Sequence, residues 1–141
     1  FTSFNQHYHI TMMVSIDPSA VENGCLDMVA GWHNKGILPT APDGTLDAEF
    51  SKTLNWQPLT TEIGDIVFFD SYIPHRSSAN RSNTSRRALY ITYNKASDGS
   101  YREHYFQKKR ETFPPDIEKI PGKDYSDSGV FNIGNPVKTK S

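Results

Sequence analysis

The sequence lacks most of the features that mark secreted, membrane and nucleic-acid-binding proteins. Its 141 residues contain one cysteine, Cys25, which has no second cysteine for an internal disulfide. It has no apolar run of about 18 residues, the length of a membrane-spanning helix, and no recognisable signal peptide. Fifteen basic and 16 acidic residues leave a net charge of −1, which argues against nucleic acid or a membrane surface as the main partner. We therefore expect a soluble, intracellular, cytoplasmic protein.

The chain is long enough for one globular domain with a hydrophobic core. Apolar residues make up 35% of it and aromatic residues 12%. Cys25 lies in the apolar segment CLDMVAG and is predicted to be a small core residue. The sequence opens on Phe1 rather than Met, amid apolar and aromatic residues. We expect it to be a piece of a longer protein or a processed chain.

Several short stretches favour β-strands. Residues 9–17 place alternate side chains on two faces, as a strand does. Asn23-Gly24 predicts a turn before a second strand over residues 25–30. Residues 55–61 predict an edge strand, because Pro58 has no N–H group to donate to a sheet.

The stretch from residue 64 to residue 94 joins two strongly hydrophobic segments through a polar loop. Residues 66–69 (IVFF) predict a strand buried on both faces, and residues 88–93 predict a second strand. His75 follows the first strand, and Arg86 opens the second. If these strands are antiparallel neighbours, both side chains enter one cavity.

Helical signals are few. Residues 46–50 predict one helical turn, and residues 100–112 predict a helix whose apolar stripe contains Tyr101, Tyr105 and Phe106. Strands broken by turns, with one late helix, favour a mainly β fold, a sandwich or jelly roll. We expect a domain over residues 1–119 and an extended or disordered tail over residues 120–141.

Chemistry is expected at the polar loop. Neutral imidazole is the commonest metal ligand, and an arginine offers a planar fork for a carboxylate, so His75 and Arg86 suit a metal beside an anion. Ser77 shares the side of His75 if the chain stays extended. A structural or solvent-facing histidine remains the alternative for His75. Asp65 and Asp70 are interpreted as turn and strand-end residues rather than ligands.

Two segments resemble the phytanoyl-CoA dioxygenase family: GDIVFFDSYIPHRSSAN…RRALYITYN, and the preceding ENGCLDMVAGWHNKGILP. The resemblance covers roughly residues 8–110. It implies a double-stranded β-helix, also called a jelly roll or cupin-like fold, incomplete at its N-terminus. It also implies a non-haem Fe(II)- and 2-oxoglutarate-dependent dioxygenase that uses molecular oxygen to hydroxylate a small organic substrate.

The resemblance assigns roles residue by residue. His75 resembles the distal iron ligand, and Ser77 and Arg86 resemble the pair that binds the far carboxylate of 2-oxoglutarate. Met13 falls near the strand position that lines the co-substrate. Arg87 should point to the opposite face of its strand. His33, in a Gly-x-His turn, is interpreted as structural or substrate-side and not as a ligand.

One departure from the family pattern concerns the iron site. The family supplies two ligands from a His-x-Asp or His-x-Glu pair, which is absent before His75 in this sequence. We expect that pair upstream of Phe1, and we expect these 141 residues alone to be inactive. His7 and His9 could chelate a metal together with His75, but we expect them instead to be a solvent-exposed pair of histidines without a metal. The alternative function is a non-catalytic jelly-roll binding module or an inactive oxygenase remnant.

Overall fold

The computed structural model describes residues 9–42, 44–112 and 114–125, which form two small antiparallel β-sheets followed by a helix. The strands are β1 (His9–Ser15), β2 (Leu26–Met28), β3 (Gln57–Leu59), β4 (Ile66–Asp70), β5 (His75–Ser77) and β6 (Ala88–Asn94). The first sheet has the strand order β4-β1-β6 and the second has the order β3-β2-β5. The α-helices are α1 (Ala48–Lys52) and α2 (Arg102–Thr112). Short 3-10 turns occupy Ala96–Asp98 and Asp116–Glu118.

β1 is the central strand of the first sheet, and its predicted alternation is confirmed. Every second residue is buried, and the residues between them are half-buried. The buried set includes polar side chains: Thr11 is 8% exposed and Ser15 is 2% exposed. Their hydroxyls are paired, Thr11 with Thr92 at 3.1 Å and Ser15 with Thr61 at 2.6 Å. The interior face of β1 is therefore polar at several positions and hydrogen-bonded, as buried polar groups must be.

β2 is the central strand of the second sheet. Its Leu26 lies opposite Leu59 of β3 on one side and Ser77 of β5 on the other. β3, which contains Pro58, stands at the end of this sheet, so the predicted edge strand is confirmed.

The core lies between the two sheets. Met13 from β1, Leu26 from β2 and Phe69 from β4 form a buried cluster, each less than a tenth exposed. Partly buried apolar residues surround it: Met28, Leu59, Val67, Ile73 and Ala88. Cys25 is 4% exposed, so its predicted place in the core is confirmed. Since residues from both sheets share one cluster, the interior of the fold is the space between them.

One expectation about the strands was wrong. β4 is not buried on both faces: Phe69 is buried, but Ile66 is 55% and Phe68 63% exposed. The condition that β4 and β6 are neighbours is not met, because β1 pairs with both and lies between them. Only the inward face of β4 reaches the core, and among the described residues no element covers its outward face. His75 begins β5 in the second sheet and Arg86 precedes β6 in the first, so the two residues do not lie on one hairpin.

The predicted helices are present, within one or two residues of their expected ends for α2. Asp47 caps α1 by accepting a hydrogen bond from the Phe50 N–H at 2.8 Å. Of the predicted apolar stripe, Tyr101 precedes α2, and no residue of α2 is buried, with Phe106 42% exposed. Over the described residues, no helix is both long and apolar enough to span a bilayer.

The expected fold class is confirmed at the level of a mainly β protein with two antiparallel sheets and a C-terminal helix. Much of the predicted tail lies outside the described residues. Within its described part, Tyr125 is 8% exposed, and its hydroxyl accepts a hydrogen bond from the Ile120 N–H at 3.2 Å.

Candidate functional site

His75 is presented at the start of β5 with one ring nitrogen already engaged. Its Nδ1 lies 2.9 Å from the carbonyl oxygen of Ile73. A carbonyl can only accept, so Nδ1 donates the hydrogen bond, and in the neutral imidazole Nε2 carries the lone pair. The side chain is exposed, which leaves that lone pair accessible. A backbone carbonyl that fixes the tautomer in this way is a common feature of metal-ligating histidines.

The ring of His75 is also held from the interior. Its centroid lies 5.5 Å from that of Phe69, with a tilt of 57°. Phe69 belongs to the buried core, and Met28 lies directly opposite His75 in the second sheet. The sheet and the core therefore hold one edge of the imidazole in place. A metal ligand or an acid–base group needs such a rigid position.

Ser77 and Arg86 are the next two predicted site residues. Ser77 pairs with Leu26, the residue next to Cys25. Burial raises the pKa of the Cys25 thiol and Asp27 adds to the rise, while the positive charge of Arg86 opposes it. The half-buried Arg86 has no side-chain hydrogen bond or ion pair with the described residues.

His75 and Ser77 are two residues apart on one strand, so they share a face about 7 Å apart. That separation is comparable to the length of a five-carbon dicarboxylate. An exposed imidazole nitrogen at one end and a hydroxyl at the other would suit such a ligand.

The Asn23-Gly24 turn supports this end of the site, and its prediction as a structural turn is confirmed. The Asn23 side chain accepts from the Ala20 N–H at 2.8 Å and donates to the Pro18 carbonyl at 2.9 Å. Gly24 has a φ of +79°, and a Cβ there would collide with the carbonyl oxygen of Ser78. Glycine is needed here both for its conformation and for its close approach to the segment after Ser77.

Arg87 has a different role from Arg86. It forms a two-pronged ion pair with Asp17, in which Nε and Nη2 each lie 2.8 Å from a carboxylate oxygen. The backbone N–H of Arg87 donates to the same carboxylate at 2.8 Å. This contact fastens the end of β1 to the start of β6. The two adjacent arginine side chains therefore have different neighbours, as the alternation of side chains along an extended chain predicts.

The Asp17–Arg87 pair should make stability depend on pH at the acid end. Hydrogen bonds from Arg87 lower the pKa of Asp17 to about 2 from an ordinary 3.8. A depressed pKa stabilises the folded state above the unfolded pKa, and this contribution disappears as the pH falls through the folded pKa. We expect Asp17→Asn to lower the Tm of the intact protein by a few degrees at pH 7. The difference should shrink between pH 4 and pH 2.

Thermal unfolding followed by circular dichroism at several pH values measures this. Glu62→Gln is a suitable control, because Glu62 is an exposed carboxylate in the turn before β4. A Tm difference for Asp17→Asn that stays constant from pH 7 to pH 2 would show that the ion pair is not its cause.

The other candidate residues fall in varied places. Met13 is 3% exposed in the core cluster, and its part in lining a co-substrate stays a prediction. His9 is also 3% exposed, so the solvated pair expected of His7 and His9 was wrong for His9. His7 lies outside the described residues. His33 is exposed in the turn after β2.

Both flanking aspartates of β4 bond to backbone N–H groups, as expected of turn and strand-end residues. The Asp65 side chain accepts from the Glu62 N–H at 2.8 Å. The Asp70 side chain accepts from the Tyr72 N–H, also at 2.8 Å. Neither carboxylate is needed as a ligand to account for its place.

The described residues fit one position of an iron site and not a whole site. A non-haem Fe(II) centre of the facial type takes two histidines and one carboxylate. Among the described residues, no group of three His, Cys, Asp or Glu side chains is arranged to hold a metal ion. His75 offers a correctly prepared nitrogen, and the remaining ligands must come from elsewhere if iron binds.

A cavity of about 510 Å³ adjoins His75. It lies between the segment before and within α1, the residue Trp56, and the chain entering β5. Arg76 also lines it, with its guanidinium carbon 4.2 Å from the centre of the Trp56 ring. The grouping of Arg76 with Trp56 and with Asp27, its ion-pair partner, could not be predicted, because the three residues are far apart in the chain.

Comparison with known proteins places this arrangement among oxygenases. The family model described as phytanoyl-CoA dioxygenase (PhyH) matches residues 1–88, more than half of the chain. A 2-aminoethylphosphonate dioxygenase from an uncultured bacterium, HF130_AEPn_1, is 54% identical over 98% of this chain and 53% of its own length. A methylphosphonate hydroxylase from Gimesia maris is 41% identical over 74% of this chain and 40% of its own length. The chain thus spans about half, or less, of the curated relatives it matches.

Solved structures agree on the fold. EctD from S. alaskensis, crystallised with 2-oxoglutarate and 5-hydroxyectoine, superposes with a TM-score of 0.53 at 21% identity. The match covers 64% of this chain and 32% of EctD. The sequence motifs, the sheet arrangement and the family match agree: the chain belongs to the phytanoyl-CoA dioxygenase family.

Proposed function

We propose that the protein carrying this chain is an Fe(II)- and 2-oxoglutarate-dependent dioxygenase that hydroxylates a small phosphonate. The observation that carries this proposal is the 54% identity with a 2-aminoethylphosphonate dioxygenase, which extends over 98% of the chain. A second relative acts on methylphosphonate, by its name. The two named substrates share a phosphonate group, so a phosphonate is the substrate class, with molecular oxygen as the co-reactant.

The site residues are proposed in the roles that the family resemblance implies. His75 is an iron ligand through Nε2, which is supported by its engaged Nδ1 and its exposure. Ser77 and Arg86 bind the far carboxylate of 2-oxoglutarate, and Met13 lines the same co-substrate. The remaining iron ligands would be supplied by residues beyond those that the structure describes. The intact fold would be a double-stranded β-helix, to which the two sheets contribute six strands.

Two further assignments stay proposals. The domain would extend over residues 1–119, with residues 120–141 as its tail. The cytoplasmic location rests on the single cysteine, which indicates a reducing compartment.

Turnover measured with the intact protein tests the proposal. Purified protein is supplied with Fe(II), oxygen, 2-oxoglutarate and 2-aminoethylphosphonate, and succinate is measured together with the hydroxylated phosphonate. We expect the two products in equal amounts, and neither when iron is left out. Methylphosphonate in place of 2-aminoethylphosphonate tests how far the substrate class extends.

The partial metal site favours one alternative, a non-catalytic binding module or inactive remnant of such an oxygenase. That alternative predicts phosphonate or 2-oxoglutarate binding by calorimetry without any succinate. Iron-dependent formation of succinate would exclude it.

A further inference from the structure

The cavity beside His75 has the size and the walls of a ligand pocket. Its volume of about 510 Å³ lies within the range usual for small-molecule sites. Apolar side chains line much of it, and a few polar groups are placed among them. The apolar side chains are Ile37, Leu38, Leu46, Ile73 and Pro74. The polar ones near β5 are Tyr72, His75 and Arg76.

The charge of this cavity is one-sided. Of the described residues that line it, Arg76 is the only arginine or lysine, and none is a carboxylate. The nearest acidic partner, Asp27, is absent from the lining. A small anion is therefore the ligand class that the cavity favours.

Arg76 is held in place by two contacts. Its guanidinium stacks on the ring of Trp56 at 4.2 Å, and its Nε donates to Asp27 Oδ2 at 3.1 Å. Trp56 is itself fixed, because its Nε1 donates to the carbonyl of Ser51 in α1 at 2.8 Å. A guanidinium that is already positioned loses little conformational freedom when it binds an anion.

Asp27 does not use up the binding capacity of Arg76. A guanidinium has five N–H bonds, and Asp27 takes the one on Nε. The four N–H bonds on the two terminal nitrogens have no hydrogen-bond acceptor among the described residues. Two of them on one edge match the spacing of two oxygens of a phosphonate, which gives a bidentate contact.

We propose that this cavity is the substrate pocket and that Arg76 binds the phosphonate group in it. The inference rests on the proposed function and adds to it the residue that recognises the substrate class. Arg76 neighbours His75 on β5, and both line the cavity. A phosphonate held by Arg76 would therefore lie in the same cavity as the proposed iron ligand. The carboxylate of 2-oxoglutarate would occupy the separate Ser77–Arg86 end.

Steady-state kinetics of the intact protein with 2-aminoethylphosphonate test this assignment. Arg76→Ala removes a charge-assisted contact, so we expect the KM for the phosphonate to rise about 10- to 100-fold. The KM for 2-oxoglutarate should change less than about twofold, since a different arginine is proposed to bind that carboxylate. Arg76→Gln, which keeps a polar side chain but is shorter and uncharged, should give a similar rise if the alanine variant folds poorly. Arg81→Ala is the control, because Arg81 is exposed and lies outside the cavity lining.

A second measurement uses the unmodified protein. Inorganic phosphate should inhibit competitively with the phosphonate and not with 2-oxoglutarate, and Arg76→Ala should weaken this inhibition. An unchanged phosphonate KM in both Arg76 variants, or phosphate that does not compete with the phosphonate, would overturn the assignment while phosphonate turnover still upheld the proposed function. If the unmodified protein turns over no phosphonate, the proposed function and this inference both fail.

Discussion

Replacing His75 with alanine should abolish turnover while leaving the fold intact. His75 is proposed to bind iron through Nε2, and its Nδ1 is already oriented by the Ile73 carbonyl. Removing an outer partner of a metal ligand typically reduces affinity or activity about 10- to 100-fold. Removing the ligand itself should therefore reduce succinate formation by more than about 100-fold under the same conditions. Because His75 is exposed, the Tm should change little.

The measurements are succinate formation and Fe(II) binding by the intact protein and its His75→Ala variant. His33→Ala is the matched control, since His33 is exposed and has no proposed ligand role. Iron-dependent turnover that survives in His75→Ala would remove His75 from the metal site. If His33→Ala lost activity as well, the effect would not be specific to the proposed ligand.

The local parts of this structure could be predicted from the sequence. The alternation of β1 identifies a strand with one inward face, and Pro58 identifies an edge strand. The Asn23-Gly24 turn follows from residue types that favour positive φ, and Gly24 adopts a φ of +79°. Each of these depends on a few neighbouring residues, so a short window of sequence contains the information.

The order of the strands could not be predicted in the same way. β1 separates β4 from β6 although the latter two are nearer to each other in sequence. Strand pairing depends on contacts between distant segments, and burial follows from that pairing. The exposure of Phe68 shows this, because its apolar run predicts burial on both faces.

The candidate site likewise has parts that are close together in the sequence and parts that depend on the pairing of distant strands. His75, Ser77 and Arg86 lie within one stretch of sequence, and the family resemblance implies their roles, which stay predictions. The Arg76–Asp27 contact joins residues 49 positions apart and depends on the pairing of β2 with β5. The Arg87–Asp17 pair spans 70 positions and depends on the pairing of β1 with β6. Such contacts become visible only once the sheet register is known.

Replacing Arg86 with alanine should impair the use of 2-oxoglutarate far more than the use of the substrate. The half-buried Arg86 has no partner for its side chain among the described residues, so it is available for the proposed carboxylate. A hydrogen bond to a charged group contributes about 1.5–3 kcal/mol. The KM for 2-oxoglutarate should therefore rise about 10- to 100-fold. Arg86→Lys should recover part of this loss, because lysine keeps the charge but not the planar fork.

The neighbouring arginine is the matched control for this prediction. Arg87 has the same side chain one position away, but it is engaged by Asp17 through two contacts of 2.8 Å. Arg87→Ala should lower the Tm and leave the KM for 2-oxoglutarate close to that of the unmodified protein. Arg86→Ala should do the reverse, with little change in Tm and a large change in KM. Equal effects of the two substitutions on KM would mean that the general positive charge, rather than Arg86 itself, attracts the co-substrate.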